Sequence, residues 1–515
     1  MKRLINPFTK VLLSIGLAFS LLTALPTTAY GAPPGLGDYE LGDIYFINQI
    51  IDDNSLSWNK WLDNEANQPA DWGTRFVWDN AFPKRLISID LEAVGITTLP
   101  AFPDSLIKID CSKNTISALP NLPSGLETLY CEACDLAALP ALPATLKALY
   151  CPENKITILP ALPAGLEELC CAANQITVLP AWSNDLTLLD CSFNQIAVLP
   201  ALSSNLLELY CRENKLTVLP ELPAGLLVLD CNDNQIITLP ALSPTLTGLF
   251  CNNNQIAVLP ALPATLINLH CADNKIAELP ALTPVLETLY CNGNLLTALP
   301  DLSSVLKSLD CSDNQLIAIP IPLPTTLLFL DISKNQITAQ PYPLPDEIIA
   351  FMCNDNLIQS IDTANCYMLA KLQASNNPLV QMKLTFNLTV RVTSVGNGKA
   401  VANSLIMGNG EFYIKAIAVP LAGSNFKDWE YDNYLEDVVE TGNQLSFTVP
   451  MYDSNNLMES IITANFVTPP VTPDPDIPST PGTGDLFALA GSTIVLLTSM
   501  LGISMIIWRK RQLSA

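Results

Sequence analysis

A stacked repeat solenoid is the fold class this sequence predicts, and three observations predict it. Cysteine recurs in register at Cys111, Cys131, Cys151, Cys171, Cys191, Cys211, Cys231, Cys251, Cys271, Cys291 and Cys311, always 20 residues apart. Around each of them one unit returns, L-x-x-L-x-C-x-x-N-x-[IL]-x-x-L-P-x-L-x-x-x. The 41 prolines, whose number alone suggests disorder, sit mostly at fixed places in that unit. A strict period of this length belongs to a stack of similar turns, because a single turn cannot bury its apolar face alone.

The elements follow in chain order. Lys2, Arg3 and Lys10 precede an apolar run from Val11 to Leu25 and then small and polar residues up to Ala32, the order of a secretory signal over residues 1–31. Residues 32–85 are expected to form an N-terminal cap. Within it Ile44, Ile47, Ile50 and Ile51 at helical spacing predict a helix over 42–57, with Asp43 as its N-cap. Trp58, Trp61, Trp72 and Trp78 then cover the open end of the stack, a role preferred over a sugar-stacking platform. A first strand is expected at 85–91.

Repeats are expected from 86 to 380, about fifteen units in all. After Cys311 the step lengthens to 21 residues, and Ile332, Cys353 and Ala374 keep the cysteine position. Leu at the first and fourth positions, Cys at the sixth and Ile or Leu at the eleventh are expected to point inward. The following Leu-Pro-x-Leu suits an extended return, since proline fixes φ and forbids helix. Asparagine at the ninth position (Asn114, Asn154 and so on to Asn377) suits a buried turn whose backbone groups need partners. Val94 and Cys134 interrupt that row.

This unit resembles the bacterial short-type leucine-rich repeat over residues 86–380. The resemblance implies a horseshoe with a parallel β-sheet on its concave face and the Leu-Pro segments, polyproline-like, on its convex face. Three uses compete for the cysteine row: small core residue, disulfide ladder and metal site. Parallel neighbours at ~4.8 Å fit poorly the ~3.8 Å that disulfide Cβ atoms need, and ligands strung along a line do not converge on a metal. Core packing is the reading preferred. Cys134, Cys170 and Cys366 lie outside the row, and Cys170 is expected to be an exposed thiol.

Residues 381–467 change to strand-like alternation, seen in 384–392, 412–420, 445–451 and 461–466. With their Gly-x-Gly turn, Gly-x-x-Phe-x-x-Trp and closing Thr-Ala-x-Phe they resemble a divergent internalin-type B repeat, a small β-rich domain. A Pro/Thr-rich linker occupies 468–484. An apolar segment at 485–508, long enough for the ~20 residues of a single transmembrane helix, precedes a basic tail at 509–515. Pro481, Thr483 and Gly484 before that segment resemble the sorting motif of Gram-positive surface proteins, with Thr480 where Leu is usual. The resemblance implies a sortase as a partner. A plain membrane anchor is the alternative, and either puts the protein on the cell surface.

Composition excludes several functions. With 49 acidic and 25 basic residues the net charge is −24, and no long basic run exists to hold a nucleic acid. The single histidine, His270, leaves no His-based triad or multi-His metal site. No catalytic residues, cofactor or metal are expected, and the protein is not expected to be an enzyme. Secreted bacterial effectors with the same short repeats carry a ubiquitin-ligase domain, which nothing after residue 380 resembles.

The fifth strand position should face out of the concave sheet. It carries Tyr130, Tyr150, Asp190, Tyr210, Asp230, Phe250, His270, Tyr290 and Asp310, flanked by Asp90, Asp110, Cys170 and Asp331. Lys108, Glu168, Glu208, Arg212, Glu213, Asp233 and Asp273 adjoin the row. Aromatic residues there are not needed for the core and favour interfaces, although aromatic cross-strand pairs also stabilise a sheet. The expectation is a surface-anchored, adhesin-like protein binding a protein or glycan; the alternative is a structural cell-wall component binding the cell's own wall polymer.

Overall fold

The computed structural model describes residues 38–62, 68–366, 368–384, 388–395, 398–408, 411–420, 425–430, 436–441, 444–450 and 458–467. The signal segment, the linker, the sorting motif, the 485–508 span and the basic tail lie outside the described residues. Among those described, no helix is long and apolar enough to cross a membrane.

Helix α1 (Leu41–Asp53) opens the cap and buries Ile44, Ile47, Ile50 and Ile51 along one face. Its N-cap is Glu40, not Asp43 as the sequence suggested. Asp43 lies inside the first turn, and its carboxylate is engaged elsewhere. It accepts hydrogen bonds from Arg85 Nε at 2.9 Å and from the Leu86 backbone N–H at 2.8 Å. A buried charge needs such partners, and these tie the helix to the first strand of the stack. Trp61 and Trp72 are fully buried with their rings edge to face, and Trp72 donates its indole N–H to the Asn59 carbonyl at 2.7 Å. These two tryptophans are thus cap core rather than a sugar platform. Strand β1 (Phe76–Trp78) runs antiparallel to β2 (Leu86–Asp90) and covers the exposed edge of the stack.

From β2 the chain adds one strand per repeat, β3 (Lys108–Asp110) through β15 (Ala350–Met352). A strand on a second sheet, β16 (Ser360–Asp362), comes before β17 (Lys371–Gln373), the last of the parallel series. Fifteen parallel strands result, each residue paired with its equivalent one repeat on, as in Leu209↔Leu229. The longer step after Cys311 keeps that register, with Ser308 paired to Phe329. The Leu-Pro segments between strands form no helix.

Inside each turn the expected positions are buried: in one repeat Leu206, Leu209, Cys211 and Leu216 are all without exposure. The ladder cysteines are buried, unpaired thiols. Burial pushes them up, Cys151 and Cys271 to about 12, so they stay protonated and pack as small apolar groups.

The asparagine row closes the turns. Asn214 donates through Nδ2 to the carbonyls of Cys191, Cys211 and Arg212 at 3.0, 3.2 and 3.2 Å, and its Oδ1 accepts the Ile196 N–H at 2.9 Å. One side chain therefore satisfies its own turn and the preceding one. Cys134 explains its own exception, because its thiol reaches the Cys111 carbonyl at 3.3 Å, the bond an Asn would make one repeat back. One feature of the turn is invisible in the motif. The eighth position is left-handed in repeat after repeat, with φ of 56° at Lys113, 55° at Phe193 and 52° at Asp273. Non-glycine residues resist this conformation by ~1–2 kcal/mol, which the asparagine bonds next to it help to offset.

The C-terminal strands grow out of the stack. They are β18 (Gln381–Leu384), β19 (Leu388–Val395), β20 (Gly398–Gly408), β21 (Glu411–Pro420), β22 (Asn425–Glu430), β23 (Glu436–Thr441), β24 (Gln444–Pro450) and β25 (Met458–Val467). β20 pairs antiparallel with β17 and so continues the long sheet, followed by β21, β24 and β23. β16, β18, β19, β25 and β22 form a second sheet. The expected break at 380/381 is bridged on both sides, since β16 and β17 belong to the repeats.

Candidate ligand-binding face

Every three-residue strand of the stack buries its middle residue and turns the two outer ones to the same face, since alternate side chains point oppositely. The fifth-position residues accordingly form one row, linked by register: Tyr130↔Tyr150, Asp190↔Tyr210, Tyr210↔Asp230, Phe250↔His270, His270↔Tyr290 and Tyr290↔Asp310. All are half-buried except Tyr150, which is only 7% exposed.

The row divides into three stretches. In the first, Tyr130 and Tyr150 stack with ring centroids 4.8 Å apart, Tyr150 donates its hydroxyl to Glu168, and Lys108 Nζ stands 5.4 Å from the Tyr130 ring centre. These aromatics serve each other, so Tyr150 is a sheet-stabilising residue and not the open contact expected of it. Cys170 follows, half-buried, with its thiol 3.7 Å from Asp190 Oδ2. Burial, and then the Asp190 charge, raise it well above the usual thiol range, and the thiol expected to be exposed is half-buried.

In the second stretch Asp190, Tyr210 and Asp230 alternate, and Tyr210 donates to Glu208 at 2.9 Å. In the third, Phe250 meets His270 edge to face at 4.8 Å and His270 meets Tyr290 at 4.4 Å. The Phe250 ring leans over Gly248, where a Cβ would come within 2.9 Å of it, so a larger residue there would push the ring aside. Ser308 donates to the Tyr290 hydroxyl at 3.1 Å, and Asp310 closes the trio while accepting from its own turn at Ser312.

Burial sets the charges. It drives His270 down to about 4, so the imidazole is neutral at physiological pH. It raises Asp230 and Asp310 to about 6, in Asp310 with help from the charge of Asp331. Asp110, Asp190 and Asp331 are raised for the same reason.

Several solved structures share this architecture. YopM from Yersinia pestis, described as a leucine-rich effector protein, matches with a TM-score of 0.53 at 29% identity, over 57% of this chain and 84% of that one. YopM from Yersinia enterocolitica matches at 30% identity over 59% of this chain and 76% of that one, with a TM-score of 0.48. The functional domain of InlJ from Listeria monocytogenes, described as including a cysteine ladder, matches at 19% identity and a TM-score of 0.50, over 75% and 94% of the two chains. The chain is a leucine-rich-repeat protein. No protein-family model and no curated protein matches it.

The fifth-position row lies on the outward face of the parallel sheet. The adjoining residues divide by position. Lys108, Glu168 and Glu208 lie in strands beside the row. Glu213, Asp233 and Asp273 sit in the left-handed turns at the sheet's edge, and Arg212 stacks its guanidinium 4.5 Å over Phe193. Among the described residues no three His, Cys, Asp or Glu side chains converge as a metal site.

One surface went unread in the sequence. At the thirteenth position Ile158, Val178, Val198 and Val258 are 70%, 68%, 67% and 73% exposed, and Val218 joins them. They form an apolar ridge away from the sheet. Individual repeats carried the signal, an apolar residue just before Leu-Pro, but nothing beside the ridge states a ligand chemistry.

Proposed function

We propose that this leucine-rich-repeat protein, of the short bacterial type, is a cell-surface recognition protein whose concave sheet face docks a protein or glycan ligand, and that it is not an enzyme. The observation that carries the reading is the Phe250–His270–Tyr290 trio, three neighbouring aromatics that remain half-exposed although they are not part of the core. Aromatic side chains offer large contact area at little entropic cost. The test is a binding screen of the full chain against arrays of candidate proteins and purified wall glycans. Replacing Tyr210, Phe250 and Tyr290 by Ala is expected to abolish the principal interaction; if every interaction survives, the concave-face reading is wrong.

Export through the 1–31 signal and attachment through the C-terminus belong to the same proposal. They are supported by the order Pro481-x-Thr483-Gly484, apolar segment and basic tail, and by the internalin-type B-repeat pattern of 381–467. In a sortase-deficient strain the protein is expected to leave the wall fraction. If it stays there with its apolar segment still attached, the sorting reading fails and a plain anchor replaces it.

A further inference from the structure

Between Leu188 and Asp331 the outward strand positions carry five acids, Asp190, Glu208, Asp230, Asp310 and Asp331, and no lysine or arginine. Asp190, Asp230 and Asp310 take no part in the ion pairs among the described residues. Asp230 and Asp310 each engage one oxygen with a backbone N–H of their own turn, at 3.1 and 3.0 Å. Between these two carboxylates lie Phe250, His270 and Tyr290, an uncharged aromatic floor.

The spacing restricts what could fit. Asp230 and Asp310 are four strand steps apart, ~19 Å at ~4.8 Å per step. An extended peptide advances ~3.3 Å per residue, so cationic side chains about six residues apart reach both ends. Arg212 acts on Asp190 and Asp230, and Lys334 and Lys371 on Asp331, but none of them closes to an ion pair with these acids. A half-buried carboxylate without a direct ion pair is electrostatically expensive, and a cation relieves it where a neutral glycan does not. Ring faces between the acids attract the same cations or pack apolar side chains.

We propose that this sheet face takes an extended, Lys/Arg-bearing segment of a protein partner, one cation against Asp230, another against Asp310 and Asp331, and the side chains between them on Phe250, His270 and Tyr290. The inference rests on the concave-face reading and names the class of partner. Burial has already raised Asp230 and Asp310, so a cationic partner also pulls protons off them as it binds.

The experiment measures fluorescence anisotropy of a labelled peptide, Arg-Gly-Ser-Leu-Ser-Gly-Arg, titrated with the full chain. The expected result is saturable binding that weakens about tenfold or more when both arginines become glutamate. The same loss is expected in the Asp230→Asn, Asp310→Asn double variant, and when salt rises from about 0.05 M to about 0.5 M. An Asp185→Asn, Asp301→Asn variant, changed at exposed acids outside the sheet, is expected to bind normally. Amide replaces carboxylate at equal size, and an unchanged melting curve shows that the double variant folds. Equal affinity for the glutamate peptide, or full affinity in the folded double variant, overturns the proposal. So does a face that binds only neutral wall glycans. If the peptide arms fail while Ala at Tyr210, Phe250 and Tyr290 still abolishes the partner found by array, the cationic-segment proposal falls and the concave-face reading stands. If both fail, both fall.

Discussion

Asn214 does with one side chain what would otherwise need four, satisfying three carbonyls and one N–H across two turns. Replacing it by Ala leaves buried backbone groups unpaired, and the expected cost is ~1–3 kcal/mol, measured by urea denaturation of the full chain. Cys134 holds the same place with a thiol, a weaker donor and acceptor. Cys134→Asn is therefore expected to stabilise, by ~0.5–2 kcal/mol as repairs toward a consensus do. A destabilised Cys134→Asn chain would show that the thiol fits this turn better than the repeat's own residue. The asparagine row was legible from sequence because it recurs. The left-handed eighth position was not, because Lys113, Phe193, Asp273 and Ala173 share no chemistry and only the backbone reveals them. Tyr150 was misjudged for a related reason: its burial comes from Tyr130 and Glu168 on adjacent turns, which a single repeat does not contain.

Among the elements, α1 shows where local rules stop. Its apolar face was predicted correctly by spacing, and its first turn was misread because Asp43 obeys a partner 42 residues away, Arg85. The carboxylate is buried while the guanidinium is part exposed. Asp43→Asn is therefore expected to loosen the cap by ~1–3 kcal/mol, the range for a hydrogen-bonded charge whose partner stays solvated. Hydrogen exchange is expected to rise in α1 and β2 first and to remain unchanged in the central repeats, since each turn of a solenoid contacts only its neighbours. Uniform loosening along the stack would contradict that one-dimensional picture. At the other end, the alternation after residue 380 announced strands, but not that β20 would join the last repeat strand; strand partners are long-range facts that periodicity does not contain.

Across the whole molecule, the acid row gives the protein an unusual response to pH. Asp230 and Asp310 titrate at about 6 in the fold, above the 3.8 of a free carboxyl. Between those values the folded chain holds protons that the unfolded chain has lost. The stability these groups contribute is therefore full below the unfolded value and is lost as pH rises through about 6. Thermal melts at constant ionic strength are expected to give a higher Tm at about pH 5 than at about pH 7.5, and the Asp230→Asn, Asp310→Asn chain a flatter profile. A Tm that falls on acidification, equally in both chains, would contradict the burial of these carboxylates. The same 20-residue period that places them also places the apolar residues of the ridge, interrupted at Thr238, so the molecule offers a second repeating surface. Recognition is proposed for the sheet rather than the ridge. The most direct test is photo-crosslinking of the partner recovered by array, with a benzophenone amino acid in place of either Phe250 or Val198. Crosslinking through position 250 and not through 198 is the result predicted; capture through 198 with none through 250 would place recognition on the ridge and contradict the account.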